Sequence, residues 1–330
     1  MWPLRPIRIL SLDGGGIRGL IPALVLKELS DRMRRYGREK PLHRCFDLIA
    51  GTSTGGLIAL ALSLPQSGTR TPALSIEDIV RMYREDGTKI FPPWKFSTLH
   101  SVAHAFREKY DIENFDSFLG PTFADITLQD ALTDLLITSF DVERNTPFFF
   151  KRRRGRDDDT NFLMSDVAKA TAAAPTYFDP AIIHEAENPA RSYCMVDGAV
   201  YANNPAMVGY IEGLKLYGRM RRFQIISLGT GRASRERTRD DISSWGFFDW
   251  ISPMRGAPLF GIISAGQAES VDYQLTKLSG VEYLRINGFF DGPRPDIDDA
   301  SEENIARLSE TAARIISNYD NALEKLARTL

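Results

Sequence analysis

The sequence predicts an α/β fold, one domain built on a mainly parallel sheet with helices on both faces. Three observations predict it. Short apolar runs ending in turn residues recur along the chain, and stretches of helical periodicity lie between them. The composition, 43% hydrophobic and 25% charged over 330 residues, is that of a globular protein long enough to bury a deep core without metal or disulfide staples. Strands that alternate with helices pair in parallel, because each helix carries the chain back to the same end of the sheet.

The elements follow in order. Ile7 to Leu12 reads as a strand stopped by Asp13-Gly14-Gly15-Gly16, and Phe46 to Ala50 as a second stopped by Gly51. Pro147 to Lys151, Tyr193 to Val196, Phe223 to Leu228 and Val281 to Ile286 are further strands. Helices are expected over Ile21 to Tyr36, Thr54 to Leu64, Ile76 to Glu85, Leu128 to Ile137 and Pro205 to Tyr217. Asp299 to Leu330 reads as one amphipathic helix, with Ile305, Leu308, Ala312, Ile315, Tyr319, Leu323 and Leu326 at spacings of three and four. It is expected to dock on a domain formed by residues 1–298, with a dimer-forming or regulatory role as the alternative.

Several function classes are excluded. Lys plus Arg is 41 and Asp plus Glu is 43, so there is no basic excess for a nucleic-acid polymer. Cys45 and Cys194 read as free buried thiols, and no Cys/His cluster suggests a metal. The first ten residues are too interrupted for a signal peptide, and the longest apolar stretch, Leu57 to Leu64, is too short to cross a membrane. The expectation is a cytoplasmic protein that touches a membrane surface without crossing it. Between Gly231 and Gly256, Trp245, Phe247, Phe248 and Trp250 suggest a lid, a membrane-touching edge or a packed loop. The basic run Lys151 to Arg156 is followed by Asp157, Asp158 and Asp159, which nearly cancel it, so a solvated loop is favoured over a phosphate patch.

The chemistry concentrates in three places. Gly51-Thr52-Ser53-Thr54-Gly55 matches G-x-S-x-G, a weak pattern alone but informative between a strand and a helix. That context is a nucleophile elbow, in which Gly51 and Gly55 permit a tight turn that lifts Ser53 Oγ clear of the sheet at a helix N-terminus. Asp13-Gly14-Gly15-Gly16-Ile17-Arg18-Gly19 is the second. Its G-x-G-x-x-G spacing raises dinucleotide binding, but the acidic residue expected about twenty positions on is replaced by the basic helical stretch Arg32 to Lys40. The other reading is an oxyanion hole, with backbone N–H groups of the glycine loop receiving the charge formed when Ser53 attacks an ester. Arg18 would orient the loop, attract an anionic headgroup or form a plain salt bridge.

A Ser-His-Asp triad needs a histidine, and none of His43, His100, His104 and His184 sits at a convincing strand end. Asp197 is the third signal. Followed by Gly198 and Ala199, it ends the strand Tyr193 to Val196. At the end of a parallel strand it would share the rim with the elbow and act as general base to Ser53. A plain turn residue is the alternative. Burial would raise its proton affinity toward the useful range.

Together these signals resemble the patatin-like phospholipase family. The matching residues are the Asp13–Gly19 loop, the Gly51–Gly55 elbow, and Asp197-Gly198-Ala199 running into Asn203-Asn204-Pro205. Ala172-Ala173-Ala174-Pro175-Thr176-Tyr177-Phe178 and Ser227-Leu228-Gly229-Thr230-Gly231 also match, so the similarity spans residues 7–231. The resemblance implies a single patatin-like domain and a lipid acyl hydrolase of the phospholipase A type. It assigns Ser53 as nucleophile, Asp197 as proton acceptor, and the backbone of Gly14, Gly15, Gly16, Arg18 and Gly19 as oxyanion hole. It implies no cofactor and no metal, and a phospholipid or other acyl ester as substrate. Two alternatives go with it. One is an acyltransferase using the same dyad. The other resembles bacterial members that act as membrane-degrading anti-phage effectors, inert until a cyclic nucleotide binds. Homo-oligomerisation is also left open.

Overall fold

The computed structural model describes residues 5–90, 122–123, 125–153, 160–233, 238–252, 258–292 and 295–330. The strands are β1 (Ile7–Leu12), β2 (Leu48–Thr52), β3 (Asp134–Asp141), β4 (Thr146–Lys151), β5 (Ala181–His184), β6 (Ser192–Asp197), β7 (Phe223–Leu228) and β8 (Val281–Ile286). They form one sheet in the order β5-β6-β3-β2-β1-β7-β8, with β4 paired to β3. From β3 to β8 the pairing is parallel, whereas β4, β5 and β6 are antiparallel to their neighbours.

Side-chain alternation along the central strands divides the core. Leu10, Leu12, Ile49, Ile137, Ile226 and Leu228 belong to the apolar cluster on one face. That cluster also takes in α1 (Leu20–Arg35), α2 (Thr54–Ser63), α3 (Ile76–Glu85) and α4 (Met164–Ala172). Ile9, Leu48, Ala50, Leu136 and Ile225 face the other way. There they meet α6 (Ala206–Tyr217) and α7 (Pro258–Lys277), which follow a short α5 (Ala199–Ala202). Helices thus cover both faces, and the central strands are apolar on both sides, as parallel sheets require.

Three expectations change. The helix expected over Leu128 to Ile137 is a single turn at Leu128–Asp130 followed by β3. A short apolar run buried on both faces carries no period that separates strand from helix. The second strand starts at Leu48 and continues through Gly51 to Thr52, so the turn is confined to Ser53. The C-terminal amphipathic stretch is two helices, α8 (Glu302–Asn318) and α9 (Asp320–Thr329), broken at Tyr319. Both pack on α1. The break lets the buried Arg32 guanidinium hold the Asp320 carboxylate at 2.8 Å and the Asp320 carbonyl at 2.9 Å.

Candidate active site

The elbow forms because β2 delivers Ser53 to the N-terminus of α2 with a backbone that few residues adopt. Ser53 has φ 53° and ψ −126°, which costs about 1–3 kcal/mol. Hydrogen bonds of about 1 kcal/mol each offset it. The Ser53 N–H donates to Thr171 Oγ1 at 2.9 Å, and the Leu57 N–H donates to the Ser53 carbonyl at 3.0 Å. Thr171 in turn donates to the Thr138 carbonyl at 2.7 Å, tying the elbow to β3. Gly55 is required by close approach, because a Cβ there would lie 2.1 Å from the Leu12 carbonyl oxygen. Gly51 packs equally closely on the backbone of Gly55 and Gly56.

Asp197 reaches Ser53 by a route that differs from the parallel strand expected. β4 runs along one edge of β3 from Leu136 to Asp141. The other edge is shared. β2 covers Asp134 to Thr138 and ends with Thr52 opposite Thr138, while β6, running the other way, ends with Asp197 opposite Ser139. The two strands meet head to head, and their C-terminal residues come together. The Asp197 carboxylate lies near enough to the Ser53 hydroxyl for that hydroxyl to favour its ionised form, and it accepts the Ala199 N–H at 2.8 Å. Gly198 lets α5 lie against Thr138, close enough that a Cβ would be 2.2 Å from Thr138 Oγ1. Thr52 Oγ1 donates to the Ala202 carbonyl at 2.6 Å and sits 2.7 Å from Thr138 Oγ1. Asp197 is 1% exposed. Burial pushes its carboxyl up to about 7, with the bonds from Ser53 and Ala199 working in the opposite direction.

The glycine loop leaves β1 beside the elbow. Gly14 lies flush against the nucleophile, since a Cβ there would be 3.3 Å from Ser53 Cβ. Gly16, at φ 58°, is pressed against the Ile297 carbonyl, which a Cβ would approach to 2.0 Å. Not every amide of the loop is available. The Gly14 N–H donates to the Asn203 carbonyl at 3.0 Å and the Arg18 N–H to the Gly15 carbonyl at 3.3 Å. Gly19 closes the turn Gly16–Gly19 beneath Thr54 and Tyr83. The Gly15 and Gly16 N–H groups have no hydrogen-bond partner among the described residues, and both glycines are partly solvent-accessible. Arg18 is 1% exposed, and its Nε donates to the Gly15 carbonyl at 3.0 Å. Asp13 anchors the start of the loop through a two-point ion pair with Arg285 of β8.

The two described histidines lie elsewhere. His43 sits in the turn Leu42–Arg44 ahead of β2, where burial, aided by the charge of Arg44, pushes it down to about 4. His184 ends β5 with Nδ1 2.8 Å from the Pro189 carbonyl. His100 and His104 fall outside the described residues. In the basic run, Lys151 pairs with Glu212, and Arg152 and Arg153 pair with Asp134. Residues 154–159 lie outside the described residues. No group of three His, Cys, Asp or Glu side chains suited to a metal occurs among the described residues. Cys45 is buried and Cys194 half-buried, both as free thiols.

Thr171 and Arg285 had no distinguishing signal in the sequence. Thr171 precedes a matched Ala-Ala-Ala-Pro segment, but nothing there says that it holds the nucleophile's amide.

A profile of the family described as Patatin-like phospholipase matches residues 10–210. The chain belongs to the patatin-like phospholipase family. Patatin-like protein 2 of Arabidopsis thaliana is 31% identical over 95% of this chain and 85% of that one. Patatin-2-Kuras 3 of Solanum tuberosum is 30% identical over 98% of this chain and 89% of its own. A further potato relative, named probable inactive patatin-3-Kuras 1, is 29% identical over 98% of this chain and 92% of that one. Among solved structures, VipD from Legionella pneumophila aligns with a TM-score of 0.43 at 12% identity, over 95% of this chain and 67% of that one. Membership in the patatin-like phospholipases carries their general activity, lipid acyl hydrolysis. No helix among the described residues is long and apolar enough to cross a membrane.

Proposed function

We propose that this chain is a lipid acyl hydrolase of the phospholipase A type that works through Ser53 and Asp197. The observation that carries the reading is the buried Asp197 carboxylate, brought beside Ser53 where β2 and β6 meet on β3 and pushed up to about 7 by burial. Asp197 takes the Ser53 hydroxyl proton as Oγ attacks the ester carbonyl. The negative charge formed on that oxygen is received by the Gly15 and Gly16 N–H groups and the N-terminus of α2. Collapse of the intermediate expels the alcohol, which takes the proton from Asp197. A water molecule, deprotonated by the same carboxylate, then releases the fatty acid.

An apolar pocket begins one helical turn beyond the nucleophile. Leu57, Ile58, Ala61, Ile79, Met82, Tyr83 and Phe123 line it. The test is release of fatty acid from phosphatidylcholine vesicles and from a soluble p-nitrophenyl ester. Ser53→Ala is expected to lower both rates by about 10³-fold or more while the variant stays folded. Retention of either rate would overturn the assignment.

Peripheral membrane contact is the second part of the reading. Phe247 and Phe248 are each 72% exposed on a short helix, Phe247–Ile251, which packs on α7, and α7 packs on α5 just beyond Asp197. Leu259, Ile262 and Ile263 of α7 are exposed as well. Exposed aromatic rings of this kind suit entry into the interfacial layer of a lipid surface. The double variant Phe247→Ser, Phe248→Ser is expected to hydrolyse vesicle lipid about tenfold more slowly and the soluble ester at the unchanged rate. Equal effects on both substrates would remove the membrane role.

A further inference from the structure

We infer that Thr230 is a positioning residue for the oxyanion site, acting through the peptide group between Gly14 and Gly15. The inference rests on the Ser53 hydrolase reading and adds a residue to it. Thr230 is buried at 5% exposure and its Oγ1 donates to the Gly14 carbonyl at 2.8 Å. In a planar trans peptide the C=O and N–H bonds point in opposite directions. Fixing the Gly14 carbonyl on Thr230 therefore fixes the Gly15 N–H pointing away from Thr230. Arg18 does the same for the next peptide, because its Nε holds the Gly15 carbonyl and so directs the Gly16 N–H. These are the two amides of the loop's glycine triplet that no group among the described residues occupies.

Asn203, Arg18 and Ile297 hold other peptides of the loop, and Thr230 holds the one between Gly14 and Gly15. Three consecutive glycines have more backbone freedom than any other triplet, and donors that must turn to meet the developing charge lose most of their catalytic value. Thr230 is itself held at both sides. It follows β7, whose neighbour Gly229 donates its N–H to the Ile286 carbonyl at 2.9 Å, and Gly231 donates to Asn287 Oδ1 at 3.0 Å. The anchor is thus mounted on the ends of β7 and β8, away from the elbow. Thr230 also packs against Gly15, where a Cβ would lie 2.4 Å from its Oγ1.

The test compares Thr230→Val, which keeps the shape and loses the hydroxyl, with Thr230→Ser, which keeps the hydroxyl. Both are assayed on the soluble ester beside wild type and Ser53→Ala, with a trifluoromethyl ketone as inhibitor, because its adduct with a serine nucleophile carries the oxyanion. Thr230→Val is expected to lower kcat about 10- to 100-fold, with KM within about twofold. The inhibitor is expected to weaken by the same factor as kcat/KM, and the pH midpoint of activity to stay where Asp197 sets it. Thr230→Ser is expected within about threefold of wild type. Wild-type rates in Thr230→Val, equal losses in both variants, or a loss confined to KM would overturn the role of Thr230 and leave the Ser53 reading intact. Should Thr230→Val not fold, Thr230→Ala against Thr230→Ser makes the same comparison. A wild-type rate that Ser53→Ala does not change would overturn the hydrolase reading and this inference together.

Discussion

Asp197→Asn is expected to lose about 10²- to 10⁴-fold in kcat and at the same time to melt at a higher temperature than wild type at pH 8. The two effects have one cause. Burial holds the Asp197 carboxyl at about 7, against an ordinary value of 3.8. Between those values the folded protein keeps a proton that the unfolded chain has released, so stability falls as pH rises through this window. Above pH 7 the penalty is fully present, at most about 4 kcal/mol at 1.36 kcal/mol per unit. Asparagine keeps an acceptor for the Ala199 N–H and carries no charge, so the penalty disappears. It also accepts no proton from Ser53. Melting curves from pH 4 to pH 8 check the first effect, with a gap between variant and wild type that opens as pH rises and is closed at pH 4. Wild-type kcat/KM, which needs the ionised carboxylate, is expected to rise about tenfold per pH unit below 7 and to level off above it. A variant that is less stable than wild type at pH 8 would mean that the buried charge is compensated, and the pH profile would then lie lower.

Gly55→Ala is the second large effect expected. The added Cβ would lie 2.1 Å from the Leu12 carbonyl oxygen and 2.8 Å from that of Asp13. Both are backbone atoms in the sheet's centre and at the root of the glycine loop, so neither yields cheaply. α2 has to lift off β1, which costs about 3 kcal/mol and carries Ser53 away from its partners. A displacement near 1 Å at the reacting atom costs about 10²-fold in rate. Denaturant titration and kcat/KM on the soluble ester check the two halves. Gly266→Ala is the control. This glycine lies within α7 with nothing inside 4 Å of an added Cβ, and the change is expected to stabilise the protein by about 0.5–1 kcal/mol. A Gly55→Ala variant as stable and active as that control would show that the helix is free to shift.

Much of the site was legible along the chain because its parts are local. The elbow is five consecutive residues and the glycine loop seven, and a strand followed by a glycine turn and a helix has one geometry wherever it occurs. The strand Asp134–Asp141 begins inside the helix expected over Leu128 to Ile137, because its apolar residues face both halves of the core and leave no periodic signature. The break at Tyr319 was invisible because the apolar spacing runs through it unbroken, and only the Arg32 contact with Asp320 requires it.

The sequence alone determined which residues carry reactive groups and that a glycine-flanked serine stands between a strand and a helix. Hydrogen-bonding capacity and backbone freedom are properties of residue type, so they can be read without coordinates. Only the tertiary structure decided how Asp197 arrives. It comes on a strand antiparallel to β3 that meets β2 end to end, because β4 occupies the opposite edge of β3. Only the tertiary structure decided, too, which loop amides are taken among the described residues, since that depends on the Asn203 and Ile297 carbonyls reaching the loop from far along the chain. Edge sharing and the partners of a buried peptide are set by packing between distant segments, and no local pattern encodes them.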